Sequence, residues 1–172
     1  MKKLTKNTAF GILALAAGIN FAFAAPVSIN ITGNVIASPC EVNNNQTNLD
    51  VDLGQNIQAS TLVTANSGTT PKAFNLSLKS CPVGTTNVTV TFTGTAAASP
   101  QTAMYLNTGD ATPLAVELSS GSTILGNNSS LSQAVQADGT VTYALSARAV
   151  TPTGNVTPGS IISVVQANFS YN

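Results

Sequence analysis

Histidine and tryptophan are absent from this 172-residue chain, and charge is scarce, with six Lys or Arg and six Asp or Glu making up 7% of the residues. Without histidine there is no ordinary Ser–His or Cys–His nucleophile. Nor is there an imidazole to complete a zinc tetrahedron around two sulfurs, so no metal site is expected. Six acids could in principle supply a glycosidase pair, but nothing in their spacing asks for one, and no tryptophan is available to line a sugar cleft. The chain is therefore not expected to be an enzyme or to need a cofactor. Bases are too few for a nucleic-acid footprint or an anionic membrane surface. Long apolar runs are missing as well. The one from Phe10 to Ile19 contains Gly18 and stops at Asn20, which is too short for a membrane span, so no direct membrane insertion is expected.

That run reads instead as part of an export signal. Lys2, Lys3 and Lys6 precede it and Ala22-Phe23-Ala24 follows, giving the charged start, apolar middle and small-residue cleavage site of a secretory leader over residues 1–24. The part after Ala24 keeps three bases (Lys72, Lys79, Arg148) against six acids, a formal charge of −3. Both cysteines, Cys40 and Cys81, lie there. In an oxidising compartment an isolated pair is most simply a disulfide. A loop of that size constrains the unfolded chain by about 4 kcal/mol on the chain-entropy model.

Period two dominates what remains. Leu49-Val51-Leu53, Phe74-Leu76-Leu78, Val88-Val90-Phe92, Leu114-Val116-Leu118, Val141-Tyr143-Leu145-Ala147 and the stretch from Ile161 to Tyr171 each alternate with polar or small residues. Turn formers separate them, such as Pro82-Val-Gly84, Asn107-Thr-Gly-Asp110 and Asp138-Gly139. Short strands with regular turns predict a single all-β domain, a β-sandwich of immunoglobulin type. One further strand pattern precedes the first cysteine: Val27, Ile29, Ile31, Gly33 and Val35 share one parity, with Ser28, Asn30, Thr32 and Asn34 between them. A slip of one residue would invert that face, so its register must be strongly set wherever it is buried.

Several features together resemble the pilin subunits of chaperone–usher fimbriae. They are the leader, the alternating extension with Gly33 seven residues before Cys40, the Cys81-Pro-Val-Gly84 stretch, Leu53-Gly54, Gly159 and the penultimate Tyr171. The resemblance spans 25–172 and leans toward minor, tip-type subunits of type 1 fimbriae. It implies an incomplete immunoglobulin-like sandwich lacking its last strand, exported through the periplasm to a fimbrium on the cell surface. Residues 25–37 would be an N-terminal extension and 38–172 the pilin domain. Val27, Ile29, Ile31 and Val35 would be donor-strand side chains filling a neighbouring subunit's pockets, with Gly33 over a pocket too shallow for a Cβ. Val165, Ala167, Phe169 and Tyr171 would line this subunit's own groove. A periplasmic chaperone would fill that groove, its basic residues holding the C-terminal carboxylate of Asn172, until a neighbouring subunit's extension replaces it at an outer-membrane usher.

The residues alone leave other readings open. Residues 27–35 could pair within their own domain and complete a self-sufficient secreted binding domain or adhesin. Thr32-Gly33-Asn34 could be a hairpin turn, although the unbroken parity across Gly33 argues against one. Asp50 and Asp52 could be a calcium pair, but they sit on the outward face of an alternating run. Tyr105, Tyr143 and Tyr171 are too scattered for a sugar platform and are expected in the core or the groove. The first cysteine comes sixteen residues into the exported part, leaving no space ahead of it for the separate lectin domain that tip adhesins carry.

Overall fold

The computed structural model describes residues 28–35, 39–42 and 46–172. The leader at 1–24 and Val27 lie outside them. The described residues fall into two units, one ending at Asn34 and the other running Val35–Asn172. The second carries all nine strands: β1 (Glu41–Val42), β2 (Lys72–Lys79), β3 (Asn87–Gly94), β4 (Tyr105–Leu106), β5 (Ala115–Ser120), β6 (Thr123–Ile124), β7 (Ser129–Ala134), β8 (Val141–Val150) and β9 (Val165–Tyr171). A single 3-10 turn at Ala59–Leu62 is the helical content of the described residues.

Two antiparallel sheets result. One runs β1-β2-β8-β5-β4, with β6 folded back on β5, and the other runs β7-β3-β9. Alternation decides which side chains meet between them. From the first sheet Leu76, Leu78, Val141, Tyr143 and Leu145 point inward, and from the second Val88, Val90 and Phe92 do. These side chains are almost fully excluded from water, which makes this cluster the main apolar contribution to stability. Asp138 and Gly139 shape the turn into β8: the Asp138 carboxylate accepts from the Thr140 amide (3.1 Å) and hydroxyl (2.7 Å), and Gly139 takes φ +73°. The Thr140 hydroxyl holds the Asp138 carboxyl below its usual range.

A second cluster of Leu62, Ala111, Leu114, Ala149 and Val156 lies apart from the main core, with Leu53, Ile57 and Ile161 against it. It explains two differences from the expected strands. The alternating run at 49–53 is not a strand, because the Asp52 carboxylate accepts from the Gly54 amide and the Gln55 side chain (both 2.9 Å) and turns the chain, with Gly54 at φ +121°. Leu53 and Ile57 then face the second cluster. The last strand begins at Val165 rather than Ile161. Ahead of it the chain is clamped to the 107–111 loop: buried Asn107 accepts from the Ile162 amide (2.8 Å) and donates to the Ala111 carbonyl (2.7 Å), while the Thr108 amide donates to the Ile162 carbonyl (2.8 Å). Strand β7 had no legible apolar alternation, since Ser129-Ser-Leu-Ser-Gln-Ala134 offers one large apolar residue to the core.

Candidate functional site

Strand β9 ends its sheet. It pairs antiparallel with β3, from Val88 opposite Tyr171 to Gly94 opposite Val165, and among the described residues no strand pairs with its other edge. Its two faces differ as the alternation requires. Gln166, Asn168 and Ser170 are exposed, while Val165, Ala167, Phe169 and Tyr171 turn inward and pack against the main core.

The degree of burial is the informative quantity. On β3 the inward side chains Val88, Val90 and Phe92 retain 0–2% of their accessible surface. On neighbouring β9 every inward side chain is only half-buried. Both strands face the same core, and they differ in that β3 is flanked on both sides while β9, among the described residues, is flanked on one. An apolar strand with an open edge and a half-covered face is the kind of surface to which a further strand can add.

Aromatic groups mark the end of this edge. Phe169 lies with its ring centroid 6.5 Å from that of Tyr143, tilted by 44°. Tyr143 is completely buried and its phenol donates to the Val88 carbonyl across the sandwich at 2.6 Å. Burial, with the nearby Tyr171 phenol in second place, pushes the Tyr143 phenol up to about 12. Burial also raises Tyr171, against the lowering effect of the Cys40 backbone amide that donates to its oxygen. Cys40 is itself bonded to Cys81, with 4.3 Å between the Cα atoms. The disulfide thus ties the chain entering β1 to the chain leaving β2, and the Cys40 amide reaches the last residue of β9.

Asn172 is held from within. Its main-chain oxygen accepts from the Thr86 amide (2.6 Å), the Asn87 amide (3.2 Å) and the Thr86 hydroxyl (3.2 Å), and its amide donates to the Asn87 carbonyl (3.0 Å). The register of β9 is therefore fixed at its end, beyond what the resemblance alone implies for Asn172.

The extension presents the other half of the expected interaction. Ile29, Ile31 and Val35 are 81%, 91% and 98% exposed, and a Cβ placed on Gly33 would meet nothing within 4 Å. Residues 28–35 adopt no regular strand. Elsewhere, Glu117 on β5 and Arg148 on β8 form a two-pronged ion pair (2.8 and 3.0 Å) that raises the guanidinium pKa, beside a shallow concavity of about 270 Å³. Among the described residues no group of three His, Cys, Asp or Glu side chains is placed to hold a metal. No helix among them is long and apolar enough to cross a membrane.

Comparison with known proteins agrees with this architecture. The sequence profile described as "Fimbrial protein" matches residues 29–172. The chain is 36% identical over 166 residues to Protein FimG of Escherichia coli K12, covering 94% of this chain and 93% of that one. It is 37% identical over 150 residues to the S-fimbrial adhesin protein SfaS of Escherichia coli O6:K15:H31, covering 86% of each. Among solved structures, the P pilus rod subunit PapA superposes with a TM-score of 0.65 at 19% identity, over 78% of this chain and 100% of that one, a likeness of fold.

Proposed function

As a member of the fimbrial protein family, the chain is a structural, non-enzymatic subunit of a cell-surface fimbria of the chaperone–usher class, and we propose that β9 is where it accepts a strand from another subunit. The observation that carries this reading is the contrast between fully buried β3 and half-buried β9 on one core. Residues 25–37 are the strand it gives. Val27, Ile29, Ile31 and Val35 would seat in the pockets of a neighbour, and Gly33 would lie where a pocket is shallow.

Energetics favour a contact that is slow to break. Burying four large aliphatic side chains contributes roughly 6–12 kcal/mol gross. Ordering about ten residues costs roughly 10–20 kcal/mol. Main-chain hydrogen bonds along β9 and burial of the acceptor's own Val165, Ala167, Phe169 and Tyr171 must supply the difference. Each subunit gives one strand and takes another, a contact that does not close on itself and so propagates as a filament.

The same edge is where a periplasmic chaperone would pair before assembly, and export through the periplasm to an outer-membrane usher completes the route. Deleting residues 25–35 tests the assignment: the variant should still take up an added strand and bind chaperone, yet fail to join the next subunit. Continued polymerisation of that variant would sink the donor role of the extension. A second reading, direct attachment to a host ligand, draws on the relative named an adhesin. It predicts that the isolated, strand-completed subunit binds host glycans.

A further inference from the structure

The outward side of the three-stranded sheet is as ordered as its inward side. Register sets Ser132, Thr89 and Ser170 in one row across β7, β3 and β9, and Ser130, Thr91 and Asn168 in the next. These side chains bond laterally. The Thr89 hydroxyl donates to Ser132 (3.1 Å), Thr91 and Ser130 share a bond at 2.8 Å, and the Asn168 amide donates to the Thr93 hydroxyl at 3.0 Å. Ser170 reaches the Thr89 carbonyl at 3.5 Å. No outward residue of these three strands is charged. Each strand thus presents hydroxyls and amides that its neighbour's hydroxyls and amides can meet, and the rows stop at the open edge of β9 with Gln166, Asn168 and Ser170.

The extension carries matching chemistry. Its apolar residues alternate with Ser28, Asn30, Thr32 and Asn34, all hydroxyls or amides and none charged. A strand laid on β9 with its apolar face inward necessarily turns that other parity outward, beside Gln166, Asn168 and Ser170.

Resting on the strand-acceptance reading above, we infer that this outward hydroxyl–amide row is a second determinant of which strand β9 accepts, acting alongside the inward pockets. The partner it fits is an uncharged β-strand whose outward positions are Ser, Thr or Asn. Directly opposed polar pairs in a sheet interact favourably, and an alanine at those positions forfeits the bonds. Such a device reads the face of the incoming strand that apolar pockets cannot see.

The test uses the exported chain (25–172) and fluorescent peptide 25–37, with dissociation followed after adding excess unlabelled peptide. A second peptide carries S28A, N30A, T32A and N34A together and leaves Val27, Ile29, Ile31, Gly33 and Val35 unchanged. The alanine peptide should dissociate about tenfold faster, as three polar pairs of ordinary strength would give. Against a chain carrying Q166A, N168A and S170A the two peptides should dissociate at nearly equal rates, because the partners of the row are gone. Equal rates on the unaltered chain, or an undiminished difference on the altered one, would overturn the inference while leaving strand acceptance standing. Failure of the unaltered peptide to bind at all would remove both.

Discussion

The phenol of Tyr143 donates to the carbonyl of Val88 at 2.6 Å, joining the two sheets through a bond with both partners completely buried. Tyr105 is equally buried, but among the described residues its hydroxyl has no hydrogen-bond partner. The two phenols therefore predict opposite outcomes for one substitution. Tyr143→Phe leaves the Val88 carbonyl unpaired and should cost about 1–3 kcal/mol, whereas Tyr105→Phe should be neutral or slightly stabilising. Urea unfolding of both variants checks the contrast. Equal losses would show that the Tyr143–Val88 bond contributes nothing beyond what the unbonded Tyr105 hydroxyl does.

Alkaline stability follows from the same pair. Burial pushes both phenols from 10.0 to about 12. Between those values the folded protein keeps protons that the unfolded chain releases. Stability contributed by these groups is therefore intact below pH 10 and is lost as pH rises toward 12. Denaturant midpoints between pH 8 and pH 12 should be level and then fall, and Tyr105→Phe should make the fall shallower.

Reducing the Cys40–Cys81 bond, or replacing both cysteines with serine, should lower stability by about 2–5 kcal/mol. The damage should reach β9, since the Cys40 amide donates to the Tyr171 phenol. A thermal melt with and without reductant gives the size of the effect. The Tyr171 ring resonances give its location, and an unchanged Tyr171 environment would separate the two.

Gly159 is required by a close approach: a Cβ there would collide with the backbone of Asp110 and Ala111. Gly159→Ala should loosen the clamp ahead of β9 and destabilise the chain by about 1–3 kcal/mol, as overpacking of a tight contact does. Asn107→Ala, which leaves the Ile162 amide and the Ala111 carbonyl unpartnered, should cost a comparable amount. Denaturant unfolding compares the two, and wild-type stability in Gly159→Ala would show that the 107–111 loop moves aside freely.

Physical reasons separate what the sequence reveals from what it hides. Strands β2, β3, β8 and β9 are visible because each turns mainly one face to the core, which writes period two into the chain, whereas β5 is buried on both faces from Ala115 to Leu118. Residues 49–53 carry the same pattern but are diverted by a local Asp52 turn that alternation does not encode. Strand β7 escapes notice for the opposite reason, since its outward serines bond to Thr89 and Thr91 and only Leu131 and Val135 mark an inner side. Asn107-Thr-Gly-Asp110 reads as a turn, and its second task of gripping residues 160–162 depends on a contact fifty residues away. At the candidate site, the inward parity of β9 is legible. That its face is only half-covered is a property of three-dimensional neighbours and has no local signature.

Amide hydrogen exchange on β9, with and without peptide 25–37, tests the central claim most directly. Amides of Val165–Tyr171 that do not bond to β3 should exchange fast in the free chain and become strongly protected once the peptide binds. Protection of both rows before any peptide is added, or no change after it, would mean that β9 is not an open edge awaiting a strand.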